Sequence, residues 1–131
     1  MAFLLDTNVL IEIENKNEDI ILQINRLRSA PHEELFISIF TYTEYYFGAR
    51  EKSERNKEKA RQRLQMYNLL NTSPHTAEIF CDLFHALLKK GKPIPQFDIF
   101  IAAFAIEHGF TLITKDHHFK QIDGLKSIIL N

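Results

Sequence analysis

Short apolar runs that lead into an aspartate are the feature of this sequence that most restricts its fold. Residues 3–5 (FLL) are followed at once by Asp6, and residues 110–114 (FTLIT) are followed after one lysine by Asp116. Runs of this length are too short for helices and suit strands that are buried on both faces. Such strands form parallel sheets, in which the carboxyl ends of the strands make the ligand-binding edge. We therefore expect both aspartates at one edge of a parallel sheet.

Strand-like and helix-like segments alternate along the chain. Strands are predicted over residues 2–5, 35–40, 69–72, 110–114 and 127–130. Helices are predicted over residues 9–14, 18–29, 41–47, 50 to near 70, 74–90 and 97–108, the last two ended by Gly91 and Gly109. Short buried strands that alternate with helices predict a three-layer α/β domain with a parallel sheet covered on both faces. With 131 residues, of which 45% are apolar, the chain is expected to form one domain over residues 1–131.

Composition sets limits on where the protein works and on how it binds. The lone Cys81 cannot form an internal disulfide, and the first residues carry neither a basic leader nor a long apolar segment. A cytoplasmic protein without a membrane segment is therefore expected. The net charge of −1 means that binding to a polyanion would depend on local basic patches or on a bridging cation.

Four acids stand at places where a structural and a chemical role both fit. Asp6 and Asp116 could cap the helices that follow them. Thr41 and Glu44 have the spacing of a capping box, and Asp98 lies in the first turn of a helix, where the helix dipole favours a negative charge. Two acids at corresponding strand ends, however, point to a shared crevice, and the apolar helix behind Asp98 would direct this acid into it.

Carboxylates gathered in one crevice repel one another, so a cluster of four implies a bound cation. Ligands that are all oxygen select Mg²⁺ or Mn²⁺ rather than zinc. Such ions lower the pKa of a bound water, orient a phosphodiester and offset charge on the leaving oxygen. The acids therefore point to a metal-dependent nuclease.

Four motifs, taken in order, resemble those of PIN domains, in the branch of the VapC toxins. They are Asp6-Thr7-Asn8, Thr43-Glu44, Asp98-x-x-Ile101-Ala102-Ala103-x-Ala105 and Thr114-Lys115-Asp116-x-x-Phe119. The resemblance covers essentially the whole chain, including the GKPIP approach to Asp98. It implies a five-stranded parallel sheet flanked by helices, a Mg²⁺ or Mn²⁺ site, and endonucleolytic cleavage of RNA that stops translation.

The resemblance also implies roles for single residues. The acids that resemble metal ligands are Asp6, Glu44, Asp98 and, in fourth place, Asp116. The side chains that resemble hydrogen-bonding supports are those of Thr7, Asn8 and Thr114. Some relatives carry a further acid after the fourth motif, where this chain has His117 and His118. Because a hard-metal site does not call for imidazole, we expect both histidines to face solvent or RNA.

A ribonuclease in the cytoplasm needs a restraint, and the VapC resemblance implies a cognate VapB antitoxin together with a toxin homodimer. An aromatic belt on the helix of Glu44 offers an interface for either partner. This belt consists of Tyr42, Tyr45, Tyr46 and Phe47. The alternative is that all four are ordinary core residues.

Basic residues near the motifs are candidates for contacts with RNA phosphates. Those that flank Asp98 and Asp116 are Lys89, Lys90, Lys92 and Lys115. The charged segment 50–63 is also rich in lysine and arginine, but most such runs are only solvated helix faces.

Two other functions compete with that of a nuclease. A PIN-like module that only binds RNA or a protein would be expected to have lost one of the four acids, which are all present. An aspartyl phosphatase with Asp6 as nucleophile would be expected to carry a second acid two residues later, where this chain has Asn8.

Overall fold

The computed structural model describes residues 2–28, 34–50 and 53–131. Within these residues, the strands are β1 Phe3–Leu5, β2 Leu35–Ser38, β3 Asn68–Leu70, β4 Thr111–Thr114 and β5 Ser127–Ile129. The helices are α1 Thr7–Glu14, α2 Glu18–Leu27, α3 Ile39–Arg50, α4 Glu54–Leu64, α5 Pro74–Lys90 and α6 Gln96–His108. A 3₁₀ helix, His117–Gln121, follows β4.

The five strands lie in one parallel sheet with the order β3-β2-β1-β4-β5. The central strand β1 pairs with β2 through Leu4 and Phe36, and with β4 through Leu4 and Leu112. The chain places β2 and β3 on one side of β1 and then returns to place β4 and β5 on the other side. The winding therefore reverses between β1 and β4, and a crevice is expected outside the carboxyl ends of these two strands. The predicted α/β fold is confirmed.

Hydrophobic cores cover both faces of the sheet. On one face, Leu4 and Leu112 pack with Phe104 and other apolar residues of α5 and α6. On the other face, Leu5 and Ile113 pack with apolar residues of α1, α2 and α4. Successive residues of β1 and β4 thus point into opposite cores, which explains why these strands are apolar without alternation.

A local hydrogen bond, which could not be predicted from the sequence, determines where α3 begins. The strand predicted over 35–40 ends at Ser38, and Ile39 and Phe40 begin the helix. The Ser38 hydroxyl accepts a hydrogen bond from the Thr41 backbone N–H at 3.1 Å, so that Ser38 caps α3. The alternative of a capping box between Thr41 and Glu44 is therefore wrong.

Other boundaries differ from the predictions by a few residues. The helix predicted from residue 50 to near 70 is α4, which begins after its N-cap Ser53 and ends at Leu64. Gly91 and Gly109 end α5 and α6 in the left-handed conformation, with φ of 65° and 70°, as expected of glycine caps. Ser29, the last residue of the predicted helix 18–29, lies outside the described residues. In the described ranges, no helix is both long and apolar enough to cross a membrane.

Candidate active site

Asp6 lies at the carboxyl end of the central strand and is almost fully buried, with 4% of its surface exposed. It is the N-cap of α1, and its Oδ1 accepts a hydrogen bond from the Thr7 backbone N–H at 2.9 Å. Its Oδ2 accepts a hydrogen bond from the Thr114 hydroxyl at 2.7 Å. The capping role considered for Asp6 is therefore real, but the same carboxylate also joins the start of α1 to the end of β4.

Glu44 reaches the same crevice from α3. Its Oε1 accepts a hydrogen bond of 2.6 Å from the hydroxyl of Thr7, the residue after Asp6. The Thr7 Oγ1 also lies 3.0 Å from the Thr41 Oγ1 on α3. Two threonines on different helices thus keep the Glu44 carboxylate at the first turn of α1, beside Asp6.

Asp98 and Asp116 are bridged by a side chain that was not expected in the site. The Nε2 atom of His118 lies 3.1 Å from Asp98 Oδ2, and its Nδ1 atom lies 3.0 Å from Asp116 Oδ1. Asp116 is the N-cap of the 3₁₀ helix and accepts a hydrogen bond from the His118 backbone N–H at 3.3 Å. One ligand atom from each of the three side chains lies within 4.8 Å of the others. These three residues therefore form one side of a common site.

His117 is exposed, in line with the expectation that both histidines face solvent or RNA, whereas His118 does not face solvent, because its ring lies between two acids. The His118 side chain keeps only 25% of its surface exposed. The reason is local: Asp116 caps the 3₁₀ helix and Phe119 is buried in the core, which turns His118 back toward the acids. Spacing in the sequence could not show this, because the direction of a side chain within a single turn depends on the backbone.

Burial and mutual repulsion raise the pKa of two of the acids. Burial is the largest cause of the raised pKa of Asp6, and the negative charges of Glu44 and Asp116 raise this pKa further. Hydrogen bonds from Thr114 and Thr7 lower it. Burial also raises the pKa of Asp98, to about 6, with the charges of Asp6, Glu44 and Asp116 adding to the rise and His118 opposing it. Each acid is thus within electrostatic reach of others, and the four form one cluster.

The predicted supporting side chains connect the elements that carry the acids. Thr114 is fully buried, and its hydroxyl donates to Asp6 and accepts a hydrogen bond from the Asp116 backbone N–H at 3.0 Å. Asn8 Oδ1 accepts a hydrogen bond from the Lys115 backbone N–H at 3.4 Å. Hydrogen bonds of the Asp6, Asn8 and Thr114 side chains therefore hold the first turn of α1 to the end of β4.

The donor set in the crevice suits a hard divalent cation. In the part of the chain that the structure describes, lysine and arginine ion pairs join other acids, as in Lys115 with Glu12 at 3.9 Å. The clustered carboxylates are therefore not neutralised by these bases, and their oxygens are ligands that Mg²⁺ and Mn²⁺ accept.

The lysines predicted to contact RNA lie at two places. Lys89, Lys90 and Lys92 are exposed at the end of α5 and just beyond it. Lys90 pairs with Asp123 at 2.9 Å and donates to the Gln121 carbonyl at 3.3 Å, at the end of the 3₁₀ helix. Lys115, whose side chain is 34% exposed, directly precedes Asp116.

The aromatic belt on α3 is divided between core and surface. Tyr42, Tyr45 and Tyr46 are half-buried against the core shared with α1 and α2, whereas Phe47 is 58% exposed. The alternative that all four are ordinary core residues is therefore wrong for Phe47.

The charged helix α4 covers part of this belt. Arg61 donates a hydrogen bond to the Tyr46 hydroxyl at 2.8 Å, and Arg63 donates to the Tyr45 hydroxyl at 3.3 Å. Lys57 pairs with Glu54, and Arg61 also pairs with Glu58, within the helix, as on a solvated face. Lys52 and the side chain of Arg50, which belong to the same charged segment, lie outside the described residues.

A cleft of about 380 Å³ opens beside Glu44, between α1, α3 and α4. Ile11 and Tyr45 contribute apolar side chains to its lining, and Lys59 and Arg63 contribute basic ones. The sequence could not predict this cleft, because it arises from the way in which three helices pack.

The chain is similar to proteins of one family along almost its whole length. The family model described as PIN domain matches residues 3–125. Ribonuclease VapC2 from Haemophilus influenzae is 30% identical over 132 residues, which cover 97% of this chain and 96% of the relative. Two solved structures also match, each over 98% of both chains: VapBC-1 from nontypeable Haemophilus influenzae, with a TM-score of 0.85 and 26% identity, and DNA-bound VapBC from Salmonella typhimurium, with a TM-score of 0.83 and 27% identity.

Proposed function

The chain belongs to the PIN-domain family, and we propose that it is a metal-dependent endoribonuclease, the toxin of a VapBC-type toxin–antitoxin pair. The single observation that carries this function is the meeting of Asp6, Glu44, Asp98 and Asp116 at the reversal point of the sheet. The protein would hydrolyse phosphodiester bonds of cellular RNA and so inhibit translation in the cytoplasm. Its similarity to Ribonuclease VapC2 supports the choice of RNA as substrate.

The four acids are the groups that would hold Mg²⁺ or Mn²⁺. When bound, such an ion supplies a water of lowered pKa and offsets the charge that develops on the phosphodiester. The protein contributes orientation. Thr7 and Thr114 fix the Glu44 and Asp6 carboxylates by hydrogen bonds, and the buried environment of Asp6 limits the access of bulk water.

The two competing functions receive less support. A module that only binds RNA has no need for four carboxylates within reach of one another, because their repulsion costs stability. An aspartyl phosphatase with Asp6 as nucleophile would be expected to carry a second acid two residues later, and this chain has none there. Asn8, which stands where the second acid of such an enzyme would be, is engaged with the Lys115 backbone.

We place the cognate VapB-like antitoxin in the cleft beside Glu44. The two solved structures compared above are described as VapBC, one of them bound to DNA. An amphipathic antitoxin segment would set apolar side chains on Ile11 and Tyr45, acidic side chains against Lys59 and Arg63, and a basic side chain near Glu44. The basic side chain would compete with the metal for the acid cluster.

The rest of the aromatic belt serves the same interface or a toxin homodimer. Phe47 is the most exposed member, and Tyr42 and Tyr46 pack against each other with ring centroids 6.4 Å apart. An exposed aromatic side chain on a rigid helix is a common anchor of protein interfaces.

Expression in a bacterial host tests the proposed toxin role. The wild-type chain should arrest growth, and Glu44→Gln should abolish the arrest, because it removes a charge from the cluster while its amide oxygen can still accept the Thr7 hydrogen bond. Glu78→Gln, the same substitution at an exposed position of α5, should arrest growth like the wild type. Co-expression of the product of the neighbouring reading frame should restore growth. A harmless wild-type chain that binds no neighbour-encoded protein would contradict the toxin role.

A further inference from the structure

His118 is held firmly beside the acid cluster. The residue before the 3₁₀ helix, Asp116, caps its backbone, and the residue after His118, Phe119, is buried with 1% exposure. The neighbouring His117 lies in the same 3₁₀ helix and is exposed. The histidine pair is therefore split into one side chain that enters the site and one that faces solvent.

The two ring nitrogens of His118 have different environments. Nδ1 lies 3.0 Å from Asp116 Oδ1, a distance at which an N–H at Nδ1 can donate to this carboxylate. Nε2 is buried and makes no hydrogen bond within the described part of the chain, although it lies 3.1 Å from Asp98 Oδ2. When a metal takes Nε2 of a histidine, a carboxylate at Nδ1 accepts the remaining N–H and orients the ring, which is the usual arrangement of a metal-binding histidine.

The spacing of Nε2 and Asp98 Oδ2 also fits two ligands of one ion. Cis ligands of an octahedral ion with bonds of about 2.1 Å are separated by about 3.0 Å. The observed separation is 3.1 Å. A buried nitrogen that makes no hydrogen bond needs an explanation. A cation bound by both this nitrogen and the carboxylate oxygen would explain why the two atoms lie at this distance.

We propose that Nε2 of His118 binds the divalent metal together with Asp98, which makes the centre a mixed nitrogen–oxygen site that favours Mn²⁺ over Mg²⁺; this rests on the metal dependence proposed above. Mg²⁺ strongly prefers oxygen ligands, whereas imidazole is a better ligand for transition metals. Asp116 then has two tasks, as an acid of the cluster and as the group that orients the imidazole. In this half of the site, His118 then serves as a metal ligand in place of a further acid.

Mn²⁺ binding to the full-length, metal-free protein tests this ligand without any RNA. Electron spin echo envelope modulation of the Mn²⁺-loaded wild type should show coupling to a directly bound imidazole nitrogen. The coupling should disappear in His118→Asn and remain in His117→Asn, the exposed neighbour. By calorimetric titration, His118→Asn should weaken Mn²⁺ binding by about 100-fold or more, since a lost ligand should cost more than the 10- to 100-fold typical of a supporting group, with a smaller loss for Mg²⁺.

The absence of nitrogen coupling in the wild type would overturn this ligand assignment, and this measurement does not depend on the folding of any variant. Equal Mn²⁺ affinities of the folded His118→Asn and His117→Asn proteins would overturn it as well. The result of this test is independent of whether the proposed nuclease function is correct. A chain that binds Mn²⁺ through His118 but leaves RNA intact would fail only as a nuclease, and a chain that cleaves RNA with no nitrogen bound to Mn²⁺ would refute only the histidine ligand.

Discussion

Asp98 shows, at the scale of single residues, how the crevice changes the chemistry of a side chain. Burial and the charges of the other acids raise its pKa to about 6, although His118 acts in the opposite direction. A pKa that is higher in the folded than in the unfolded protein gives stability at low pH, and this stability is lost as the pH rises through the folded value. Without metal, the protein therefore carries a destabilising charge at Asp98 near neutral pH.

Replacing this charge should stabilise the metal-free protein. With a chelator present and near neutral pH, Asp98→Asn should raise the free energy of unfolding by about 1 kcal/mol, a value that allows for solvent screening at a partly exposed carboxylate. The melting temperature would rise by about 4 °C. At about pH 4 most of the gain should disappear, because the cost of the Asp98 charge develops only as the pH rises from the unfolded pKa of about 3.9 through the folded pKa of about 6.

Thermal unfolding at the two pH values is the measurement, and Asp82→Asn on the exposed side of α5 is the matched control, which should change the melting temperature little. A gain of the same size at both pH values would show that the effect of Asp98→Asn has no electrostatic origin.

The acids could be predicted from the sequence, whereas their hydrogen-bond partners could be predicted only in part. Asp6 and Asp116 follow apolar strands that can hardly be placed anywhere but in the middle of the sheet. The position of the His118 ring could not be predicted. Hard metals prefer oxygen ligands, and on this ground the histidine was expected to face solvent or RNA. In the structure, the cap at Asp116 and the burial of Phe119 determine the direction of the ring.

At the scale of elements, α3 links the sheet, the acid cluster and the cleft. Its cap Ser38 ends β2, its first turns carry Thr41 and Glu44, and its later turns line the cleft. The apolar pair Ile39 and Phe40 resembles the end of a strand, and for this reason the predicted strand was two residues too long. The hydroxyl of Ser38 decides the boundary, because it satisfies a backbone N–H at the start of the helix.

Gly48 allows the cleft to be filled without disturbing the core. Among the described residues, and apart from the adjoining residues and the backbone of its own helix, no atom lies within 4 Å of a Cβ placed on this glycine, which lines the cleft. Gly48→Leu should therefore fold normally and weaken binding of the cognate antitoxin by about tenfold or more, a loss of about 1.4 kcal/mol. Titration calorimetry with the purified antitoxin measures this effect.

The control is Gly48→Ala, which adds only the Cβ atom. It should bind the antitoxin like the wild type and stabilise α3 by about 0.5–1 kcal/mol, because glycine is unfavourable inside a helix. Unchanged antitoxin affinity of Gly48→Leu would place the antitoxin outside this cleft.

At the scale of the whole molecule, RNA binding depends more on the distribution of charges over the surface than on the net charge of −1. The two-sided burial of the strands made the parallel sheet predictable, because few other folds accept such apolar runs. The cleft and the direction of individual lysines depend on helix packing, which leaves no simple pattern in the sequence. RNA contacts at Lys90 and Lys115 consequently remain a prediction.

The salt dependence of RNA binding tests these two lysines. Lys90→Ala/Lys115→Ala, compared in a Glu44→Gln background that does not cleave, should weaken binding and flatten the dependence on salt by about 0.7–0.9 units of logarithmic slope for each phosphate contact. Lys126→Ala is the control, because this exposed lysine precedes β5 at the amino end of the strands. An unchanged slope in the double variant would exclude both lysines from the RNA-binding surface.

Cleavage of total cellular RNA by the purified protein, with mapping of the new ends, tests the proposed metal-dependent ribonuclease most directly. We expect cleavage at defined sites with Mn²⁺ or Mg²⁺ and none with a chelator. Asp98→Asn should lower the rate by about 100-fold or more, since losing a metal ligand should cost more than the 10- to 100-fold typical of a supporting group, while Asp82→Asn should cleave normally. Cleavage at the wild-type rate by folded Asp98→Asn, or in the presence of the chelator, would contradict the metal centre.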